Sequence, residues 1–174
     1  MPFDVAPTRV RGRWVRHTYP GSPALPLRDP PPDNRWQRGA VVDALYLAAD
    51  EPTAWAEWYR HLAEPDLPPT EQMPRDLWTW EVDCEVADLS NEELLARVGL
   101  TPPRPGRRTW PPYQRVGETL HAEGWPGLLA PSAARPGHLV ICLFRPTAGL
   151  SGARPVPPPV RVDVPPAPPT GMTT

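Results

Sequence analysis

Three residues of different chemistry recur at equal intervals in the first third of the chain. They are Arg35, Tyr46 and Glu57, eleven residues apart each time (46 − 35 and 57 − 46). A guanidinium grips phosphate through a planar fork of donors. A phenol offers a packing face and a hydroxyl. A carboxylate can hydrogen-bond a sugar and stabilise positive charge that develops on it. The set suits holding a nucleotide and cleaving a glycosidic bond. Arg16, which alternates with Trp14 in an apolar stretch, adds a second cation. A buried charge without a partner is costly, so Arg16 calls for a protein carboxylate or a ligand phosphate.

The elements that would position these groups follow from patterning. GRWVRHT (12–18) alternates and reads as a strand, and VVDALYLAA (41–49) reads as a buried strand carrying Tyr46. Asp50 can cap the helix that follows, from about Pro52 to Glu64, with Pro52 tolerated in the first turn. On that helix Ala54, Trp55, Trp58 and Leu62 form an apolar side, while Thr53, Glu57, Arg60 and His61 share the other. Read locally, this is a solvated face with Glu57 paired to Arg60 or His61. Tyr46 by the same standard is a core tyrosine and Arg35 an ordinary loop arginine, against the functional reading of a phosphate-gripping arginine with Trp36 beside it as an aromatic platform. LWTWEVD (77–83), GLLAP (127–131) and HLVICLF (138–144) read as further strands. Ser90 with Glu93 predicts a capping box for a short helix through Val98. Pro112 opens another helix, with Tyr113, Val116 and Leu120 on one face and Gly124 as its stop. Helices interspersed among strands, without a regular βαβ count, predict a compact single α+β (mixed α/β) domain with a split or curved sheet. Ser132 follows GLLAP as a loop hydroxyl with no GxSxG elbow around it.

Composition narrows the classes. The chain has 174 residues and a net charge of −2, so as a whole it has no electrostatic pull toward nucleic acid or anionic membranes. All 18 basic residues are arginine. The segment from Pro146 to Thr174 is dense in proline and predicts a mostly disordered tail, with VRVDV (160–164) able to add an edge strand. The expected organisation is a flexible N-terminus (1–11), a domain (12–145) and this tail (146–174). A second proline cluster at 20–34 reads as a long loop that orders on binding. Cys84 and Cys142 lie in apolar strand-like runs and read as buried free thiols. No stretch approaches the roughly 18 apolar residues of a membrane span, and the N-terminus lacks signal-peptide order, so a cytoplasmic protein is expected. The four histidines and two cysteines show no metal-ligand spacing, and neither a P-loop nor a GxGxxG motif is present.

The pieces WVRHT, DNRWQRG, ALYLAADEPTAWAE and GWPGLLAPSAARPGHLVICLF, in this order and spacing, resemble the RES domain family, named for Arg, Glu and Ser. The likeness spans roughly residues 12 to 145. It implies an ADP-ribosyltransferase-like fold and the activity of a toxin from a RES–Xre toxin–antitoxin module. Such a toxin is an NAD glycohydrolase or NAD phosphorylase, cleaving the nicotinamide–ribose bond with water or phosphate as acceptor. The partners it implies are NAD as substrate, with no resident cofactor or metal, and an Xre-like antitoxin, with a homodimer as an option. Carried onto this chain, Arg16 and Arg35 would hold the pyrophosphate. Tyr46 would pack on the nicotinamide or its ribose, Glu57 would stabilise the oxocarbenium-like charge, and Ser132 would support the phosphate or ribose. The catalytic set would be Glu57, Tyr46 and Arg35. Two other readings stay open: a transferase that places ADP-ribose on a protein, and a non-catalytic module that binds a nucleotide or partner. The chain departs from the family pattern where Asp33-Asn34 replace the usual Gly-Gly and where Gln37 replaces an Asn.

Overall fold

β1 (Pro7–Thr18) and β3 (Arg75–Asp88) are the longest strands, and they pair antiparallel from Pro7↔Ala87 to Thr18↔Asp76. Their pairing closes a ring with β2 (Asp43–Ala48), β4 (Gly127–Pro131) and β5 (Leu139–Arg145), in the order β1-β2-β5-β4-β3 and back to β1. Among the described residues only β3 with β4 is parallel. The computed structural model describes residues 3–145 and 150–173. A five-strand closed barrel thus replaces the expected split sheet, because β1 and β3 are long enough for the end strands to find each other and remove an open edge.

Alternating apolar residues from all five strands fill one core: Val10 and Trp14, Leu45 and Leu47, Trp80, Val82 and Val86, Leu129, Ile141 and Leu143. Three helices pack outside. α1 (Glu51–Ala63) places Trp55, Trp58 and Leu62 against Leu77 of β3. Asp50 caps it as expected, its carboxylate accepting from the Thr53 N–H at 2.8 Å. α2 (Glu92–Arg97) is short and is capped by Asn91, which accepts from Leu94 N at 3.0 Å. The expected capping box from Ser90 and Glu93 therefore does not form, because the cap falls on Asn91 and its third following residue is Leu94. α3 (Trp110–Ala122) begins two residues before Pro112 and packs Val116 and Leu120 against β4 and β5 residues Leu128, Cys142 and Phe144.

Both ends of the chain depart from expectation. Residues 7–11, expected in a flexible N-terminus, belong to β1, since β3 offers partners along that whole length. Residues 153–162, expected in a mostly disordered tail, form β6 (Ala153–Val162), which pairs with β3 from Arg75↔Val162 to Val82↔Ala153. Its prolines are tolerated because β6 is an outer strand and needs ladder donors on one side only. Part of the proline-rich segment, 146–149, lies outside the described residues.

Two glycines let the loop carrying Arg35 sit close. A Cβ at Gly117 of α3 would stand 1.9 Å from the Trp36 carbonyl oxygen, and one at Gly39 would stand 1.7 Å from the Pro31 carbonyl oxygen. Neither contact tolerates a side chain. Among the described residues no helix is long and apolar enough to cross a membrane. Cys84 and Cys142 are buried free thiols.

Candidate active site

A cleft of about 850 Å³ lies against β1 and β2, bounded by α1, the 31–36 loop and the 105–110 segment. Arg16, Arg35, Tyr46 and Glu57 all line it. Ser132 does not; it is 2 % exposed and lies behind the cleft wall formed by Pro131, Ala133 and Ala134.

Glu57 is held from one side. Its Oε1 accepts from the Ser132 hydroxyl at 2.6 Å and from the Ala134 N–H at 3.4 Å. The Ser132 oxygen in turn accepts from the Arg135 N–H at 2.9 Å. The Arg135 guanidinium ties this loop to the start of α1, donating to Asp50 Oδ1 at 3.1 Å and to Thr53 Oγ1 at 3.2 Å. The locally expected pairing of Glu57 with Arg60 or His61 does not occur among the described residues. Oε2 of Glu57 makes no protein hydrogen bond there, so one carboxylate oxygen is fixed and the other is available to the cleft.

Tyr46 is engaged internally. Its hydroxyl donates to Gln37 Oε1 and accepts from the Trp36 N–H at 3.1 Å, while the ring lines the cleft. Burial, with Cys142 alongside, pushes its pKa well above the usual phenol value. The residues that break the family pattern are used in the same loop. Asp33 Oδ1 accepts from the Gly39 N–H at 2.8 Å, and Gln37, with no exposed surface, donates to the Pro32 carbonyl at 3.3 Å. Trp36 is no aromatic platform. It is 1 % exposed and stands edge-on to Tyr113 of α3 at 5.3 Å.

The two arginines expected to work together have different neighbourhoods. Arg35 donates to Thr109 Oγ1 at 3.1 Å and to the Arg104 carbonyl at 2.8 Å, with its guanidinium over the Tyr113 ring. Burial lowers its pKa, and the charges that oppose this are Glu57 and Glu64. Arg16 makes no hydrogen bond or ion pair among the described residues. Burial, then Arg28 and Arg75, lower its pKa to about 10.

Sequence reasoning missed His17, Arg28, Arg75 and Arg135. His17 stacks on Trp55 at 5.0 Å, and its Nδ1 accepts from Arg75, with Nε at 3.3 Å and Nη2 at 3.0 Å. Burial, then the Arg75 and Arg16 charges, push its pKa down to about 3, so the ring is neutral. No local signal marks Arg75. It reaches the cleft because the β1–β3 register sets it just past the Thr18↔Asp76 pair.

A closed barrel with an arginine-rich cleft against two of its strands, and one carboxylate anchored there, is a scaffold for an anionic ligand. The chain belongs to the RES domain family, whose model matches residues 6–164. The match begins before and ends after the 12–145 span that the motifs suggest. Among solved structures the fold is similar to a chain of the M. tuberculosis MbcT–MbcA toxin–antitoxin complex, with a TM-score of 0.68 and 20 % identity over 86 % of each chain. No curated protein matches.

Proposed function

We propose that this protein is a RES-type toxin that binds NAD in the cleft, cleaves the nicotinamide–ribose bond and is neutralised by a protein antitoxin. The observation that carries this reading is the Glu57 carboxylate, fixed through Oε1 by Ser132 and Ala134 in an arginine-lined cleft. The solved relative comes from a structure described as a toxin–antitoxin complex, which supports a protein partner. An Xre-type antitoxin, a homodimer and a fold related to ADP-ribosyltransferases belong to this proposal as expectations from the family.

The chemistry is economical. In NAD the nicotinamide ring is already cationic, so it leaves as a neutral amine and needs no general acid. Ordinary glycosidases differ in using a carboxyl pair. As the bond breaks, positive charge moves onto the ribose. The free oxygen of Glu57 would accept a ribose hydroxyl and stabilise that charge. A carboxylate already fixed by Ser132 needs no reorganisation to do so. Arg16 would bind the pyrophosphate, and Arg35, held near Glu57 by Thr109 and the Arg104 carbonyl, would orient the ribose-proximal phosphate. The Tyr46 ring would form a wall for nicotinamide or its ribose. Ser132 acts through Glu57 in this scheme and is a positioning residue. Water or phosphate then takes the ribosyl carbon.

The test is NAD loss over time for the wild type and Glu57→Ala, with and without phosphate, read by product mass and with labelled NAD. Loss that depends on Glu57 supports cleavage, and the product mass names the acceptor. A labelled polypeptide would move the reading to protein ADP-ribosylation. NAD binding without turnover would move it to a binding module. Full turnover by folded Glu57→Ala would end the mechanism.

A further inference from the structure

Arg75 is 8 % exposed, yet no carboxylate pairs with it among the described residues. The neighbouring carboxylate of Asp76 is committed elsewhere, to Arg161 at 2.5 Å and to the Gly21 N–H at 2.8 Å. Instead, Arg75 is held by groups that carry no formal charge. His17 Nδ1 accepts from it, and its guanidinium lies 4.1 Å from the centroid of the Tyr19 ring. Arg16 and Arg28 line the same cleft and likewise form no ion pair among the described residues. Of the other cleft arginines, Arg145 pairs with Asp43 at 3.1 Å and Arg107 pairs with Glu64 at 3.2 Å, while Arg60 of α1 forms no ion pair among the described residues and its Nε is buried without a partner.

Guanidiniums that share a cleft without an anion of their own repel one another, and Arg75, the buried one of the three, has also lost hydration. An arrangement of this kind is stable in use when a ligand supplies the missing negative charge. Neutral His17 also fits this purpose. As an acceptor for Arg75 it holds the guanidinium in place without neutralising it, whereas a carboxylate there would cancel the charge meant for a ligand.

We infer that Arg16, Arg28 and Arg75 form one anion seat in the cleft, separate from the Glu57–Arg35 end, and that it takes a phosphate or diphosphate group. Arg75 and Arg28 are thereby ligand-binding residues, and His17 is the positioning residue of Arg75. The seat deepens the dinucleotide reading and rests on it only for the ligand's identity: Arg75 is anchored by His17 and the Tyr19 ring, whereas Arg35 is anchored by Thr109 and the Arg104 carbonyl, so the two arginines meet a ligand from different sides of the cleft.

The experiment is a calorimetric titration of inorganic pyrophosphate, and separately of ADP-ribose, into the wild type, Arg75→Met, Arg28→Ala and the distant control Arg97→Ala. Arg97 sits on α2 paired to Glu93. Each lost charge-assisted contact is expected to weaken pyrophosphate binding by about tenfold or more, with Arg97→Ala unchanged. Weakening for pyrophosphate and ADP-ribose alike assigns the seat to a dinucleotide's diphosphate, and weakening for pyrophosphate alone assigns it to a free anion. No binding of pyrophosphate by the wild type, unchanged affinity in both seat variants, or equal weakening in the control would overturn the seat. Should Arg75→Met fail to fold, the exposed Arg28 decides the matter. NAD turnover measured beside these titrations separates the two claims. No turnover with a working seat rejects the toxin chemistry alone, and turnover with unchanged KM in both seat variants rejects the seat alone.

Discussion

The Ser132 hydroxyl donates to Glu57 Oε1 at 2.6 Å across 75 residues of sequence, and Ser132 itself is buried. Water therefore cannot replace this donor if it is removed. Ser132→Ala leaves Glu57 only the long Ala134 contact, and a hydrogen bond to a charged group is worth about 1.5–3 kcal/mol. If that energy is spent on orienting the carboxylate, kcat falls about ten- to hundredfold. KM for NAD should change little. Steady-state kinetics decide: a raised KM with kcat intact would mean that Ser132 touches substrate.

Tyr46→Phe probes a different role. The phenol oxygen bridges Gln37 and the Trp36 N–H, both buried. Its loss strands the Gln37 carbonyl and one backbone donor, which costs about 1–3 kcal/mol of folding stability. Because the ring stays in the cleft wall, kcat should fall only a few-fold. Denaturant unfolding and kinetics on the same preparation test this, and a large kcat loss with unchanged stability would make the hydroxyl catalytic.

Acid sensitivity follows from His17. Its pKa is about 3 in the folded protein against 6.5 for the free group, held down by burial first and then by Arg75 and Arg16. Below pH 6.5 the unfolded chain takes up a proton that the folded chain refuses. Folding stability is therefore whole above that value and is lost as pH falls toward 3. His61, also lowered by burial and by Arg107, contributes with the same sign. His17→Phe keeps a ring on Trp55 and removes the titration. Its stability should be lower at pH 7, where Arg75 has lost its acceptor, but flatter between pH 6.5 and 4.5. Equal slopes for both proteins would show that His17 does not titrate in this way.

The sequence made the local part of this molecule legible. Asp50 and Pro52 mark the start of α1, and the spacing of Trp55, Trp58 and Leu62 marks its buried face. Arg16, Arg35, Tyr46 and Glu57 are singled out by the family resemblance rather than by local pattern, and all four line one cleft. What stayed hidden depends on long-range register. Barrel closure rests on β1 meeting β3, and that pairing brings Arg75 beside His17. Proline content argues against a strand at 153–162, yet an outer edge tolerates proline, and β3 had a free side to offer. Trp36 looked like a platform because nothing local reveals that Gly117 lets α3 approach its backbone.

The segment after β6 bears on the same carboxylate. Tyr59 of α1 donates to the Pro166 carbonyl, and Arg135 Nε donates to the Thr170 carbonyl at 3.1 Å. The Thr173 N–H donates to the Ala134 carbonyl at 2.8 Å. This strap thus fastens α1 and the 132–135 loop, the two pieces that meet at Glu57. A few hydrogen bonds at about 0.5–1.5 kcal/mol each are offset by roughly 1–2 kcal/mol of backbone entropy for every residue ordered. Deleting residues 165–173 should therefore shift global stability little. The effect should be local: faster hydrogen exchange at the Ala134 and Arg135 amides, and a several-fold lower kcat with KM nearly unchanged, because a looser loop presents Glu57 less often in the productive position. Exchange rates and kcat that match the full chain would show that the strap merely rests on the surface.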